Sequence, residues 1–334
     1  MTPRLVIHVG PHKTATTYLQ ANFAAARTVL RQSGWLYPTL GRAPGTLAHH
    51  DLAHHPGDYL ADPGALARLG QRAHRDGASV LLSAEGFVRW PRARFDQLAA
   101  LMGFAGAELV YTLRDPVEGF VSYWAEEIKH GATASLPERM AAHFADPFAS
   151  RLLNPMVTLR PWLAAPGLRL HALPFEQIRR RGADIFTHFC AAVLGLPDIV
   201  PVATTPANTR LALELTEFLR MLGQMHNTHA GDASLRMGFM RATDAQRRAD
   251  IVALVRAEAA AGLRETCVPA SAPFRRHIER ATRAALQNRW THDPGPGPLF
   301  AQTDTRCAWY ADAALWASAP IRAAARDLSQ RIAA

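Results

Sequence analysis

Leu5-Val6-Ile7-His8-Val9-Gly10-Pro11-His12-Lys13-Thr14-Ala15-Thr16-Thr17 decides how this chain folds. Residues 5–9, apolar except for His8, read as a buried strand; Gly10 and Pro11 end it, and the threonine-rich stretch beyond reads as a helix start. A strand turning at once into a helix aims free backbone N–H groups and the positive end of the helix dipole at one point, where anions bind. The lysine in that turn is one of two in 334 residues, against 35 arginines. A chain that writes arginine almost everywhere keeps a compact ammonium here, so the position is expected to need lysine chemistry, with a phosphate-like ligand.

Outward from this loop, residues 79–83 and 107–113 read as further buried parallel strands, each followed by a helical pattern. Another apolar run, 168–173, precedes a helix expected to begin near Pro174 or Phe175. Strands alternating with helices predict an α/β chain with an open, mostly parallel sheet and right-handed crossovers, its ligands beyond the carboxyl ends of the strands. After about residue 205, alanine-rich segments at 211–225, 245–261, 274–288 and 308–332 have helical spacing and few strand formers. The expectation is a single domain, 1–200 being the α/β core and 205–334 a mostly helical part covering it and an acceptor cleft. Residues 292–298, His-Asp-Pro-Gly-Pro-Gly-Pro, read as the only linker-like stretch.

A chain 49% hydrophobic and 19% charged, without low-complexity tracts, reads as a globular enzyme rather than a disordered protein. Residues 5–9 are too short for the apolar core of a signal peptide, and no run approaches the roughly 20 apolar residues that span a bilayer. Cys190, Cys267 and Cys307 are odd in number and far apart, which suggests neither a disulfide framework nor a zinc site; a reducing cytoplasm is the expected setting. A net charge of +9 favours anionic partners: a nucleotide, an acidic glycan, nucleic acid or an anionic lipid surface. Aromatics do not interleave a basic stripe, so nucleic acid is set aside.

The loop lacks the Gly-Lys-Ser/Thr ending of an ATP-binding P-loop. Its order, Pro11-His12-Lys13-Thr14-Ala15-Thr16-Thr17 after an N-terminal strand, resembles the 5′-phosphosulfate loop of sulfotransferases that use 3′-phosphoadenosine 5′-phosphosulfate (PAPS). Leu113-Arg114-Asp115-Pro116, with Ser122 six residues after the proline, resembles the 3′-phosphate motif of the same family. An arginine at a strand end offers a planar fork of donors to phosphate. Leu173-Pro174-Phe175-Glu176-Gln177-Ile178, with Phe189 and Leu194-Gly195-Leu196-Pro197 downstream, is similar to a scaffold segment of that family, in which Glu176 braces a helix start and Gly195 ends a helix. These matches cover roughly residues 4–200. Two positions depart from the pattern: Ala15 stands where the family usually has glycine, and Gly119 where it usually has arginine.

The resemblance implies a three-layer α/β/α, P-loop nucleotide-kinase-like fold with additional C-terminal helices. It implies PAPS as donor and adenosine 3′,5′-bisphosphate (PAP) as product. Pro11, His12, Lys13, Thr14, Ala15, Thr16 and Thr17 would line the 5′ side, with the hydroxyls of Thr14, Thr16 and Thr17 on the phosphate and Lys13 at the oxygen bridging phosphorus and sulfur. Arg114 and Ser122 would hold the 3′-phosphate, and no metal is required. The acceptor would be a hydroxyl or amine on a saccharide, glycolipid or small metabolite, possibly anionic. Against this stand an ATP-dependent small-molecule kinase and a non-catalytic anion- or glycan-binding protein; a capped helix start beside a solvated lysine is the plain alternative for the first loop, and the scarcity of lysine counts against it.

Two bases compete for the acceptor's proton. Glu85 follows the second predicted strand, on the rim where ligands sit, and burial is expected to raise its pKa into a useful range, although a structural ion pair would look the same. The run His49-His50-Asp51-Leu52-Ala53-His54-His55 supplies imidazoles with an ordinary pKa of about 6.5. Any one of His49, His50, His54 and His55 could reach the cleft, His50 being the named candidate; it shares a helical face with His54, a metal-pair spacing without an identifiable third ligand. Lys129, seven residues after Ser122, reads either as a contact for an anionic acceptor or as a solvated cation near a helix end.

Overall fold

A computed structural model describes residues 2–164, 167–202, 211–232, 234–300 and 303–333. Its first strand, β1, is Leu5–Gly10; β2 is Trp35–Leu36, β3 Ser79–Ser83, β4 Ala107–Leu113 and β5 Arg169–Pro174. All five pair in parallel, in the order β2-β3-β1-β4-β5. The two-residue β2 escaped the sequence reading, being too short to show a period.

Alternate residues of each strand serve opposite faces, and both faces are covered by helices. Leu5, Ile7 and Val9 join Leu82, Leu109 and Leu170 against Phe87, Trp90, Phe95 and Trp162. Val6, Leu81, Val110 and Leu173 pack instead on Leu19, Phe23, Phe186 and Phe189. Burial on both sides is why these strands are continuous apolar runs rather than alternating ones. The connection leaving β1 runs to the β2 edge, whereas those leaving β3 and β4 run the other way, so the strand order reverses at β1. Crevices at such a reversal, beyond the strands' carboxyl ends, are where ligands bind in open α/β sheets.

The chain divides into two compact units that interleave in sequence: 1–116, 154–208 and 273–302 form one, and 117–153, 209–272 and 303–334 the other. The sequence reading drew its line near residue 205, which lies outside the described residues, and counted 117–153 with the core and 273–302 with the C-terminal part. In the sheet-containing unit, helix Pro273–Leu286 packs Ile278 and Leu286 into the core, and Arg275 forms a buried ion pair of 2.5 Å with Asp115, just past β4.

The Pro-Gly stretch does not behave as a linker. Arg283 donates from Nη1 to the Gly295 carbonyl at 2.6 Å and from Nη2 to that of Gly297. Arg180 grips the carbonyls of Pro298, at 2.9 Å, and Phe300, and Gln177 also donates to Pro298 at 3.1 Å. The Asp293 carboxylate accepts the Gly295 N–H at 2.8 Å and Glu279 accepts that of Leu299 at 2.6 Å. It is a strap fastened to its own unit.

The second unit is mainly helical, with helices Leu136–Phe144, Leu213–Met225, Ser234–Ala242, Ala245–Glu258, Asp312–Ala317 and Ala319–Ala333. The C-terminal part was expected to be mostly helical, and two strands not read from the sequence join its helices: β6 (Leu263–Val268) and β7 (Thr305–Tyr310) pair antiparallel. Ala308, Trp309 and Tyr310, read as the start of a helix, belong to β7, whose β-branched and aromatic residues suit a pleated ribbon. Beneath it lies a buried cluster in which Arg220 donates to Glu217 at 2.6 Å and to Asp312, while Glu217 accepts the Tyr310 N–H at 3.0 Å. Helix Pro116–Lys129 belongs to this unit from Val117 onward. Among the described residues no helix is long and apolar enough to cross a membrane.

Candidate active site

The loop after β1 has an unusual backbone. Lys13 and Ala15 both occupy the left-handed region, at φ +66° and +61°, and Thr14 between them does not. Residues of alternating hand turn successive N–H groups to one side and form a concavity for anions. Ala15 is the N-cap of helix α1 (Thr16–Ala25), and no side chain caps that helix. A helix start of this kind is where anions bind. The left-handed Ala15 explains the glycine expected at this position: a Cβ there costs about 1 kcal/mol.

Carbonyls of the loop are fastened from behind. The Thr14 hydroxyl, fully buried, donates to the Pro11 carbonyl at 2.6 Å. Arg114, the first residue past β4, donates from Nη1 to the Lys13 carbonyl at 2.5 Å, and its guanidinium carbon lies 5.7 Å from the centre of the Phe175 ring. The Thr14 hydroxyl thus spends its proton inside the turn, and Arg114 clamps the Lys13 loop. A guanidinium carries five N–H donors, so this bond does not exhaust it.

Glu85 lies directly behind the loop. Gly10, at φ +85°, is so close to it that an added Cβ would sit 3.4 Å from both the Cα and the Cγ of Glu85. The Thr16 hydroxyl donates to Glu85 Oε1, Gln20 Nε2 reaches Oε2 at 3.3 Å, and His50 Nε2 lies 3.6 Å from the same oxygen. Burial pushes the Glu85 carboxyl up, as expected. The Thr16 bond and the charges of His12 and His50 outweigh it, so the net shift is downward. This is a correction: Glu85 is held as a carboxylate, less basic than an ordinary one.

The histidine run separates into distinct parts. His49 is fully buried; its Nδ1 accepts the Ser83 N–H at 3.0 Å and its Nε2 reaches the Pro38 carbonyl at 3.1 Å. Burial, with Arg42 nearby, drives its pKa down to about 3, so it is a neutral structural group and not a base. His50 is half-exposed and faces Glu85; His54 stacks on it with ring centres 5.7 Å apart, and burial lowers the His54 pKa. His55 is exposed. Among the described residues no group of three His, Cys, Asp or Glu side chains is placed to hold a metal ion.

Sequence reasoning missed the polar layer beneath Glu85. Gln20 Nε2 lies 3.3 Å from the Ser83 hydroxyl, which lies 2.8 Å from Nδ1 of the fully buried His8. Gln20 is one helical turn after Thr16 and so shares its face, the one signal available in the sequence. Glu176 fills its expected role as a brace, accepting the Asp115 N–H at 2.8 Å; burial, reinforced by the Asp115 charge, pushes its carboxyl up to about 7.

Lys13, Thr14, Thr16, Glu85, His50 and Arg114 thus share one corner of the sheet-containing unit. Ser122 lies half-buried on helix Pro116–Lys129 in the second unit. Lys129, at 5% exposure, is neither solvated nor poised for an acceptor: it pairs with Glu126 at 3.1 Å. No family model, curated protein or solved structure matches the chain.

Proposed function

We propose that this chain is a PAPS-dependent sulfotransferase, moving a sulfuryl group to a hydroxyl or amine of a saccharide, glycolipid or small-metabolite acceptor in the cytoplasm and releasing PAP. One observation carries the reading: left-handed Lys13 and Ala15 precede the uncapped α1 at the carboxyl end of the central strand, in the chain order of the 5′-phosphosulfate motif. Such an alternation is a phosphate cradle. Support also comes from the strand order, which suits a three-layer, nucleotide-kinase-like fold with the cradle leaving its central strand. Arg114, arriving from the next strand, brings a second cation to the same corner.

In this reading the loop N–H groups hold the 5′-phosphate and Arg114 serves the 3′-phosphate. As the acceptor oxygen bonds to sulfur, the bond from sulfur to the phosphate oxygen breaks; Lys13 stabilises the charge left there, and Glu85, with His50 beside it, takes the acceptor's proton. Positioning and electrostatics supply the catalysis.

Isothermal titration with PAP and with ATP tests this. Tight PAP binding with negligible ATP binding is expected, followed by a mass gain of one SO3 on an acceptor when PAPS is supplied. A preference for ATP sinks the proposal, and PAP binding without turnover across acceptor pools reduces the chain to a binding protein.

A further inference from the structure

Glu85 is the natural proton acceptor of the corner, yet the free protein holds it in its least basic form. Several groups face it: Thr16 and Gln20 from α1, His12 from the loop, His8 from β1, His50 and His54 from the short helix His50–His54, and Tyr37. Burial opposes its charge, and the contribution that does most to offset burial is the Thr16 hydroxyl bond, ahead of His12 and His50. Thr16 is also the first residue of α1, where the cradle meets the helix. A threonine hydroxyl has one proton to donate. It can serve the carboxylate or a phosphate oxygen, not both. Thr14 has no such choice, since its proton is committed to Pro11 inside the turn.

We propose that Thr16 is a positioning residue that keeps Glu85 in reserve: its hydroxyl proton rests on the Glu85 carboxylate in the free protein and passes to the donor's phosphate on binding, readying Glu85 to accept a proton only once the donor is in place. The inference rests on the PAPS reading. No bond other than the hydrogen bond is exchanged. Glu85 loses a donor and gains an anionic neighbour, and both changes strengthen its hold on a proton.

Binding is then linked to proton uptake. Titrating PAP into the protein at a pH of about 5, between ordinary carboxylate and imidazole values, in acetate and in MES buffer counts the protons taken up. Wild type is expected to take up more than Thr16→Val, in which Glu85 is already released, and Thr16→Ser to restore the difference. Glu85→Gln should take up fewer still, because the Glu85 of Thr16→Val still gains the anionic neighbour, and the double variant should match Glu85→Gln. The comparison that decides is wild type against Thr16→Val, both of which keep the Glu85 carboxyl that His12 and His50 face. Equal uptake by wild type and Thr16→Val overturns the inference while leaving the PAPS reading intact; wild type that fails to bind PAP overturns both. Wild type also carries an independent measurement, the Glu85 carboxyl 13C midpoint with and without PAP. An upward move supports the switch, and an unmoved midpoint rejects it.

Discussion

The loop after β1 and the strap at 292–300 are both irregular, both rich in residues that break regular structure, and both fastened by arginine donors on backbone carbonyls. They differ in what remains. In the strap, prolines at 294, 296 and 298 remove N–H groups outright, and Asp293 and Glu279 accept those of Gly295 and Leu299. Bonded in this way within its own unit, it is a structural closure. In the loop, Thr14 on Pro11 and Arg114 on Lys13 fasten carbonyls, and no side chain caps the helix that follows. The same device, an arginine donor on a backbone carbonyl, closes a strap in one place and shapes the proposed phosphate cradle in the other.

Three substitutions probe that contrast. Lys13→Ala should have the largest effect, lowering turnover of PAPS about a hundredfold or more while PAP affinity changes by less than about tenfold, because its charge is needed most as the leaving oxygen becomes negative. Equal losses in turnover and affinity would make Lys13 part of the cradle rather than of the reaction. Arg283→Ala should cost about 1–2 kcal/mol in urea unfolding, two charge-assisted bonds discounted for partial exposure, with PAP affinity unchanged. Weakened PAP binding would mean that the strap communicates with the site. Ala15→Gly is the smallest: relief of the left-handed Cβ, offset by glycine's unfolded-state entropy, should raise stability by up to about 1 kcal/mol. A loss of stability would show that Ala15 packs more than it strains.

The parts of the fold that could be read in advance were those governed by local signals. Strands 79–83 and 107–113 coincide with β3 and β4 because burial on both faces writes itself as an uninterrupted apolar run. β6 is mostly exposed, with Arg264, Glu265 and Thr266 in its middle, and is held by a partner about forty residues away; nothing local announces it. The loop and Arg114 were legible as motifs, but the bond between them joins residues 101 positions apart. In the histidine run, His49 and His50 differ by a single position and by everything that matters chemically, since one points into the Ser83–Pro38 backbone and the other toward Glu85. The strap misled because proline and glycine mark a break in regular structure without saying whether arginines wait to hold it.

The scarcity of side-chain amines has a practical side. With Lys129 sunk against Glu126, reagents that acylate lysine would find the loop residue, Lys13, far more readily than its counterpart. Tethering the protein to a biosensor chip by such chemistry would therefore load the proposed phosphate loop itself, and a titration with PAP would be better done in free solution.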